Sequence, residues 1–181
     1  MIFEETPLKD CYLITPSVFE DARGYFFESF NKQVFEKQTG FSVEFKQDNQ
    51  SKSSKGVLRG LHFQTGQHAQ AKLVTVTKGS VLDVCVDLRM ESESFGKNFS
   101  VVLNESNKQQ LFIPRGFAHG FLVLEDETIF SYKCDNFYNK KSEAGIIYND
   151  ENLKIDWGIP EHQLIISEKD KNLPKFNELF S

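Results

Sequence analysis

Val81-Leu82-Asp83-Val84-Cys85-Val86-Asp87-Leu88 alternates with a period of two, the even positions being Leu, Val, Val and Leu. Successive side chains of an extended strand point to opposite faces, so the pattern predicts a half-buried strand with Asp83, Cys85 and Asp87 on its other face. Gly79 supplies the turn before it. Outward from this stretch, short apolar or alternating runs separated by Gly, Asn, Asp and Pro fill residues 56 to 135. They predict further strands at Lys72–Thr77, Phe99–Leu103, Gln110–Ile113, His119–Leu124 and Thr128–Cys134. Strands at this spacing point to a β-sandwich or barrel. Helical signal is thin. Asn31 to Thr39, with Val34 and Phe35 on one side and Gly40 as a stop, predicts one peripheral helix. From Asp150 onward, Asp, Asn, Lys, Gly158, Pro160 and Pro174 surround a single Trp157, which predicts turns and short helices covering one end of the barrel.

At 181 residues the chain suits one well-filled domain spanning 1–181, and its apolar content, including 18 Phe, is that of a soluble globular protein. The net charge of -5 argues against sequence-independent nucleic-acid binding, which needs clustered Lys and Arg. A small anionic ligand is still allowed, because a few local cations can meet two phosphates. Cys11, Cys85 and Cys134 are odd in number and lack a CxxC spacing, so buried thiols are expected in place of a disulfide framework or zinc knuckle. Met1 to Asp10 carries acidic residues and no apolar run, and no stretch approaches the length of a membrane span. A cytoplasmic location, with neither membrane nor nucleic acid as partner, is the expectation.

Gly56-Val57-Leu58-Arg59-Gly60-Leu61-His62-Phe63-Gln64 places an Arg and a His inside a strand-like run, and Lys72 opens the next strand. Solvated charges at a strand edge would account for them one by one. Strict alternation would send Arg59 and His62 to opposite faces. Both reach one cavity only if a bulge intervenes, and Gly60 is the residue that tolerates it. Tyr132, on the same face as Phe130 and Cys134, reads alone as a core aromatic with its hydroxyl at the rim.

Phe112-Ile113-Pro114-Arg115-Gly116-Phe117-Ala118-His119-Gly120-Phe121 delivers a His into a strand from a Gly/Pro turn. It resembles the second half-motif of the cupin β-barrels. The His-x-His pair of metal-binding cupins is missing, since Phe63 and Gln64 follow His62. A first-row metal site needs three or four N, O or S ligands. The expectation is therefore no metal and no cofactor, and acid–base chemistry in place of redox chemistry.

Asp21-Ala-Arg-Gly-Tyr-Phe-Phe-Glu28, Gln47-Asp-Asn49, Val57-Leu-Arg-Gly-Leu-His62-Phe-Gln, Gln70-Ala-Lys72, Asp83 to Arg89, Phe95-Gly-Lys97, Ile113 to Phe121 and Asp156-Trp157 occur in this order. Together they resemble the dTDP-4-dehydrorhamnose 3,5-epimerase family over nearly the whole chain. The resemblance implies a mostly β, cupin-type jelly-roll barrel (a double-stranded β-helix) with a few short peripheral helices, and a homodimer. It implies that His62 is the base, Tyr132 the acid on the opposite face of the sugar, Asp170 the carboxylate paired with His62, and Lys72 the residue near the keto oxygen. It implies substrate contacts from Arg23, Glu28, Gln47, Asn49, Arg59, His119, Glu143 and Lys169, with Arg23 and Arg59 towards phosphates and Tyr138 packing on the thymine. Phe63 stands where the family often has Tyr, a mild change. The tail after Trp157 matches less tightly.

The implied set is chemically coherent. Removing a proton next to a ketone leaves an enolate, and a cation aimed at its oxygen lowers the barrier by typically about 3 to 4 kcal/mol. Inversion returns the proton from the other face, so a second residue is needed. The leading expectation is inversion at C3 and C5 of dTDP-4-keto-6-deoxy-D-glucose to dTDP-4-keto-L-rhamnose. A single-centre epimerase uses the same residues. A keto-sugar isomerase is disfavoured by Tyr132 together with Arg59 and His62, and a non-catalytic sugar-nucleotide-binding cupin by the completeness of the set.

Overall fold

The structure, a computed structural model, describes residues 1–180; Ser181 lies outside the described residues. Its strands are β1 (Ile2–Glu5), β2 (Tyr12–Thr15), β3 (Val18–Asp21), β4 (Gly24–Phe27), β5 (Gln47–Ser53), β6 (Val57–Gln64), β7 (Lys72–Lys78), β8 (Ser80–Asp87), β9 (Asn98–Asn104), β10 (Gln110–Ile113), β11 (Phe117–Val123), β12 (Thr128–Cys134), β13 (Glu143–Gly145) and β14 (Ile165–Ile166). The helices are α1 (Lys32–Thr39), α2 (Glu168–Lys171) and α3 (Phe176–Leu179). One sheet runs β1-β2-β10-β7-β12-β5 and the second β13-β6-β11-β8-β9, with β14 added parallel to β6. Strands β3 and β4 form a separate hairpin. This is the cupin-type sandwich that the spacing and the resemblance led us to expect, and every strand expected between residues 72 and 134 is present within two residues.

The odd residues of β8, Val81 and Cys85, join Phe117, Phe121 and Val123 of β11 and meet Val74, Val76, Leu111, Ile113 and Phe130 of the first sheet. Its even residues Val84 and Val86, with Leu58, Ala118 and Leu122, face the other way, against Ile146, Tyr148, Leu153, Trp157 and Phe176. Two expectations are corrected here. Strand β8 is buried on both faces, with Asp83, Cys85 and Asp87 all at 0% exposure, so it is not half-buried. The C-terminal segment covers the outer face of the second sheet and not one end of the barrel, because that face is too apolar to meet water.

The outer face of the first sheet is covered in turn by Phe35 of α1 with Val43, packed on Phe112, Leu73 and Ile14. Phe35 lies edge-on to Phe112 with ring centroids 4.8 Å apart, and its full burial is worth roughly 1.5–3 kcal/mol. Asn31 caps α1 by accepting from the Val34 amide at 3.2 Å, and Gly40 ends it at φ 75, a left-handed conformation that costs glycine little.

Strand β5 carries no apolar residue, yet it pairs with β12 along its whole length. Gln47, Asn49 and Ser51 alternate inward, half-buried, against exposed Asp48, Gln50 and Lys52. Hydrophobic periodicity is blind to such a strand, whose inner face is wet.

The bulge expected at Gly60 is present. Strand β11 pairs His119 with His62 and Phe121 with Arg59, so Gly60 and Leu61 together oppose Gly120 alone. Gly60 has φ 132, and a Cβ there would lie 2.5 Å from the Cα of Gly120. The extra residue turns Arg59 and His62 to the same side.

Candidate active site

Between the sheets lies a cavity of about 800 Å³, lined by eleven of the thirteen residues singled out in the sequence. On the β6 side, His62 Nε2 donates to Asp170 Oδ1 at 2.8 Å. Asp170 comes from α2, more than a hundred residues later. Pairing of β14 with β6, Ile165 beside Val57 and Ile166 beside Leu58, brings the tail into place. Ser167 caps α2 by accepting from the Asp170 amide at 3.1 Å. Burial pushes the Asp170 carboxyl up, but the His62 hydrogen bond and charge, the Gly60 amide and Ser167 outweigh it, and its pKa lies below 3.8. A carboxylate is therefore available to orient the imidazole and leave Nδ1 for the cavity.

His119 sits directly opposite His62 on β11. Its Nε2 bonds Asp83 Oδ2 at 2.9 Å, and both side chains are buried. Burial pulls the His119 pKa below 6.5, against the opposing charge and hydrogen bond of Asp83, so the ring is neutral at pH 7. Phe130 stacks on it with centroids 6.0 Å apart.

The facing sheet contributes Tyr132 from β12 and Lys72 from the start of β7, with Lys72 Nζ 5.9 Å from the centre of the Tyr132 ring. Burial raises the Tyr132 pKa above 10, Cys134 adds to it and Arg59 opposes it, so the phenol keeps its proton at neutral pH. Burial lowers the Lys72 pKa below 10.5, and Cys134 and Asp83 partly restore it.

At the mouth, Gln47 Nε2 donates to Asn49 Oδ1 at 3.0 Å, and Arg59 Nη2 to Ser53 Oγ at 3.2 Å. Tyr138 donates its hydroxyl to Glu143 Oε2 at 3.1 Å, and Lys169 Nζ meets the same oxygen at 2.6 Å. The Lys169 hydrogen bond is the main reason that the Glu143 pKa falls below 4.5. Arg59 and Lys169, with the amides of Gln47 and Asn49, give this rim a cationic and amide character.

Arg23 and Glu28 are not brought to this cavity. Arg23 lies exposed at the tip of the β3–β4 hairpin, where its guanidinium is engaged by Asp21. Glu28 is exposed just after β4. Sequence reasoning in turn passed over Asp83, treating it as the polar face of a strand, although a carboxylate in mid-strand among Val and Cys was the available signal. It also passed over Phe121, which lines the cavity and stacks on Phe130 at 4.0 Å. Among the described residues no group of three or more His, Cys, Asp or Glu is placed to hold a metal ion, and no helix is long and apolar enough to cross a membrane.

A family model described as dTDP-4-dehydrorhamnose 3,5-epimerase matches residues 5–178. The dTDP-4-dehydrorhamnose 3,5-epimerase of Escherichia coli K12 is 54% identical over 175 residues, which is 96% of this chain and 94% of that protein. The crystal structure of the dTDP-4-dehydrorhamnose 3,5-epimerase from Elizabethkingia anophelis is 59% identical with a TM-score of 0.96, covering 98% of this chain and 97% of that one. The dTDP-6-deoxy-D-glucose-3,5-epimerase of Legionella pneumophila, in complex with dTDP-4-keto-L-rhamnose, is 44% identical with a TM-score of 0.93, covering 97% and 93%.

Proposed function

The chain belongs to the dTDP-4-dehydrorhamnose 3,5-epimerase family, isomerases that act on carbohydrate, and we propose that it inverts C3 and C5 of dTDP-4-keto-6-deoxy-D-glucose without a metal. The product is dTDP-4-keto-L-rhamnose, the sugar nucleotide bound by the Legionella relative. The observation that carries the mechanism is a cavity with the His62–Asp170 pair on one sheet and Tyr132 with Lys72 on the facing sheet.

The cavity is bounded by both sheets, so a sugar ring held in it meets a different side chain on each face. His62 Nδ1 takes the proton from the carbon next to the ketone, and the bonding pair passes to the keto oxygen as an enolate. Lys72 stabilises that oxygen as a compact ammonium. Asp170 stabilises the imidazolium that forms. Tyr132 then delivers its proton to the opposite face of the carbon, which inverts the centre. Gln47, Asn49, Arg59, His119, Tyr138, Glu143 and Lys169 hold the sugar nucleotide.

Turnover in heavy water tests this. Deuterium found by NMR at both C3 and C5 supports the double inversion, label at C3 alone reduces it to a single-centre epimerase, and no exchange rejects the enzyme. Tyr132→Phe is expected to keep deuterium exchange within about tenfold of wild type while inversion falls about 10²-fold or more, since the base remains and the acid is gone. Equal loss of both would overturn the acid assignment.

The reading includes a homodimer in which the β3–β4 hairpin packs against a second copy and carries Arg23 and Glu28 to its nucleotide. In favour are Phe19 and Phe26, 66% and 70% exposed on that hairpin, an apolar surface that water does not favour. Light scattering is expected to give twice the chain mass, and Phe26→Asp to weaken the dimer about tenfold or more. A monomeric wild type would end this part of the proposal.

A further inference from the structure

Asp83 stands mid-strand in β8, opposite Phe121 of β11 and Val101 of β9, at 0% exposure. Its strand neighbours on the same face, Val81 and Cys85, belong to the core between the sheets. Apart from Asp170, the other buried acids have a visible task in the fold. Asp87 holds Arg89, Ser92 and Ser94. Asp150 accepts from the amides of Asn152, Leu153 and Phe176. Asp83 holds no main-chain group. His119 is its one hydrogen-bond partner, and its Oδ1 is a buried polar atom with no partner among the described residues. Burying a carboxylate is costly, and an apolar side chain would fill a core strand with less penalty. The cost is therefore incurred for what Asp83 does to His119.

With Nε2 committed to Asp83, the neutral His119 ring carries its proton on Nε2, and Nδ1 is left as a bare acceptor. His119 lines the cavity, and Nδ1 has no hydrogen-bond partner among the described residues. The charged and titratable groups that act on the ring are Asp83 from β8, Lys72 from β7 and His62 from β6. The two histidines thus form a matched pair on neighbouring strands, each tied through Nε2 to a carboxylate from a different element.

We propose that Asp83 is a positioning residue of the epimerase: it locks His119 in the Nε2–H tautomer, so that Nδ1 accepts a hydrogen bond from a hydroxyl of the keto-sugar. This rests on the epimerase reading above. A carboxylate that fixes the tautomer of a histidine decides whether that histidine accepts or donates, and a bare acceptor nitrogen is matched by a donor such as a hydroxyl.

The test combines spectroscopy and kinetics. In histidine-labelled wild-type protein, nitrogen NMR is expected to show His119 with a protonated Nε2 and an unprotonated Nδ1. Asp83→Asn is expected to lower kcat/KM for dTDP-4-keto-6-deoxyglucose about 10- to 100-fold, the size of effect seen when a carboxylate that orients a metal-bound histidine is removed. The same substitution in a His119→Ala background is expected to change kcat/KM less than twofold, because Asp83 acts through His119. A protonated Nδ1 in the wild type overturns the assignment, as does an equal loss from Asp83→Asn in both backgrounds. The wild-type spectrum needs neither turnover nor a variant that folds, so failure of this assignment is distinguishable from failure of the epimerase reading.

Discussion

His62→Ala is expected to lower both turnover and solvent deuterium exchange about 10²- to 10⁴-fold, the contribution of a positioned general base. Both fall together because no exchange occurs without proton removal, which separates this variant from Tyr132→Phe. The side chain is 32% exposed at the cavity wall, so its loss leaves little void in the core. It does strand Asp170, whose side chain is 5% exposed. A buried acceptor without its donor costs about 1–3 kcal/mol, which melting experiments would register. The pH dependence has a definite sign. In the wild type the Asp170 pKa is depressed, so its contribution to stability is present above the unfolded value and is lost as pH falls through the lower folded value. In the alanine variant burial acts without the His62 hydrogen bond, and the stability difference from wild type should shrink as the medium is acidified below pH 3.8. Full activity in His62→Ala would remove the base from the mechanism.

Lys72→Met is expected to separate activity from stability. Lys72 makes no ion pair among the described residues, its pKa is lowered chiefly by desolvation at the half-buried cavity wall, and an ammonium held there without an ion-pair partner is a burden on the fold. Methionine keeps most of the length and removes the charge, so the melting temperature should hold or rise. Catalysis should fall about 10²- to 10³-fold in kcat, corresponding to roughly 3–4 kcal/mol of lost enolate stabilisation, with a smaller change in KM. The Lys72 pKa is depressed in the folded chain, which sets the direction of its pH dependence. Between that value and 10.5 the unfolded chain binds more protons at this site than the folded one, so wild-type stability rises with pH in that window. Any stability advantage of the methionine variant should therefore close as pH approaches 10.5. A variant that loses stability but keeps kcat would reverse the assignment of Lys72. Lys72→Arg should rescue poorly, because the planar guanidinium cannot occupy the space of a compact ammonium.

Much of the site was legible because its chemistry needs unusual residues in unusual places. Arg59, Gly60 and His62 inside a strand-like run already implied a bulge, and β6 bends there around Gly120. The His-x-His pair missing after His62 already turned attention from metal to proton transfer. Other parts left no local trace. Strand β5 reads as a polar loop, since its inner face lines a wet cavity and its outer face meets solvent. The hairpin strand β3 escaped for a similar reason, being exposed along its length.

The sequence by itself determined the alternation that makes two packed sheets, the cap residues Asn31 and Gly40, the motif order that identifies the family, and the residue types needed for an acid, a base and a cation. These are local properties, written in periodicity and spacing. Only the tertiary structure decided that both faces of β8 are buried, since whether the second face meets water depends on where the C-terminal segment lies. It also decided that Asp170 reaches His62 through β14, that Arg23 and Glu28 stand outside the cavity of their own chain, and that Asp83 is a buried partner of His119. Each of these is a contact between segments far apart in the chain, and the energy of a buried charge depends on the group that meets it there, which no neighbouring residue encodes.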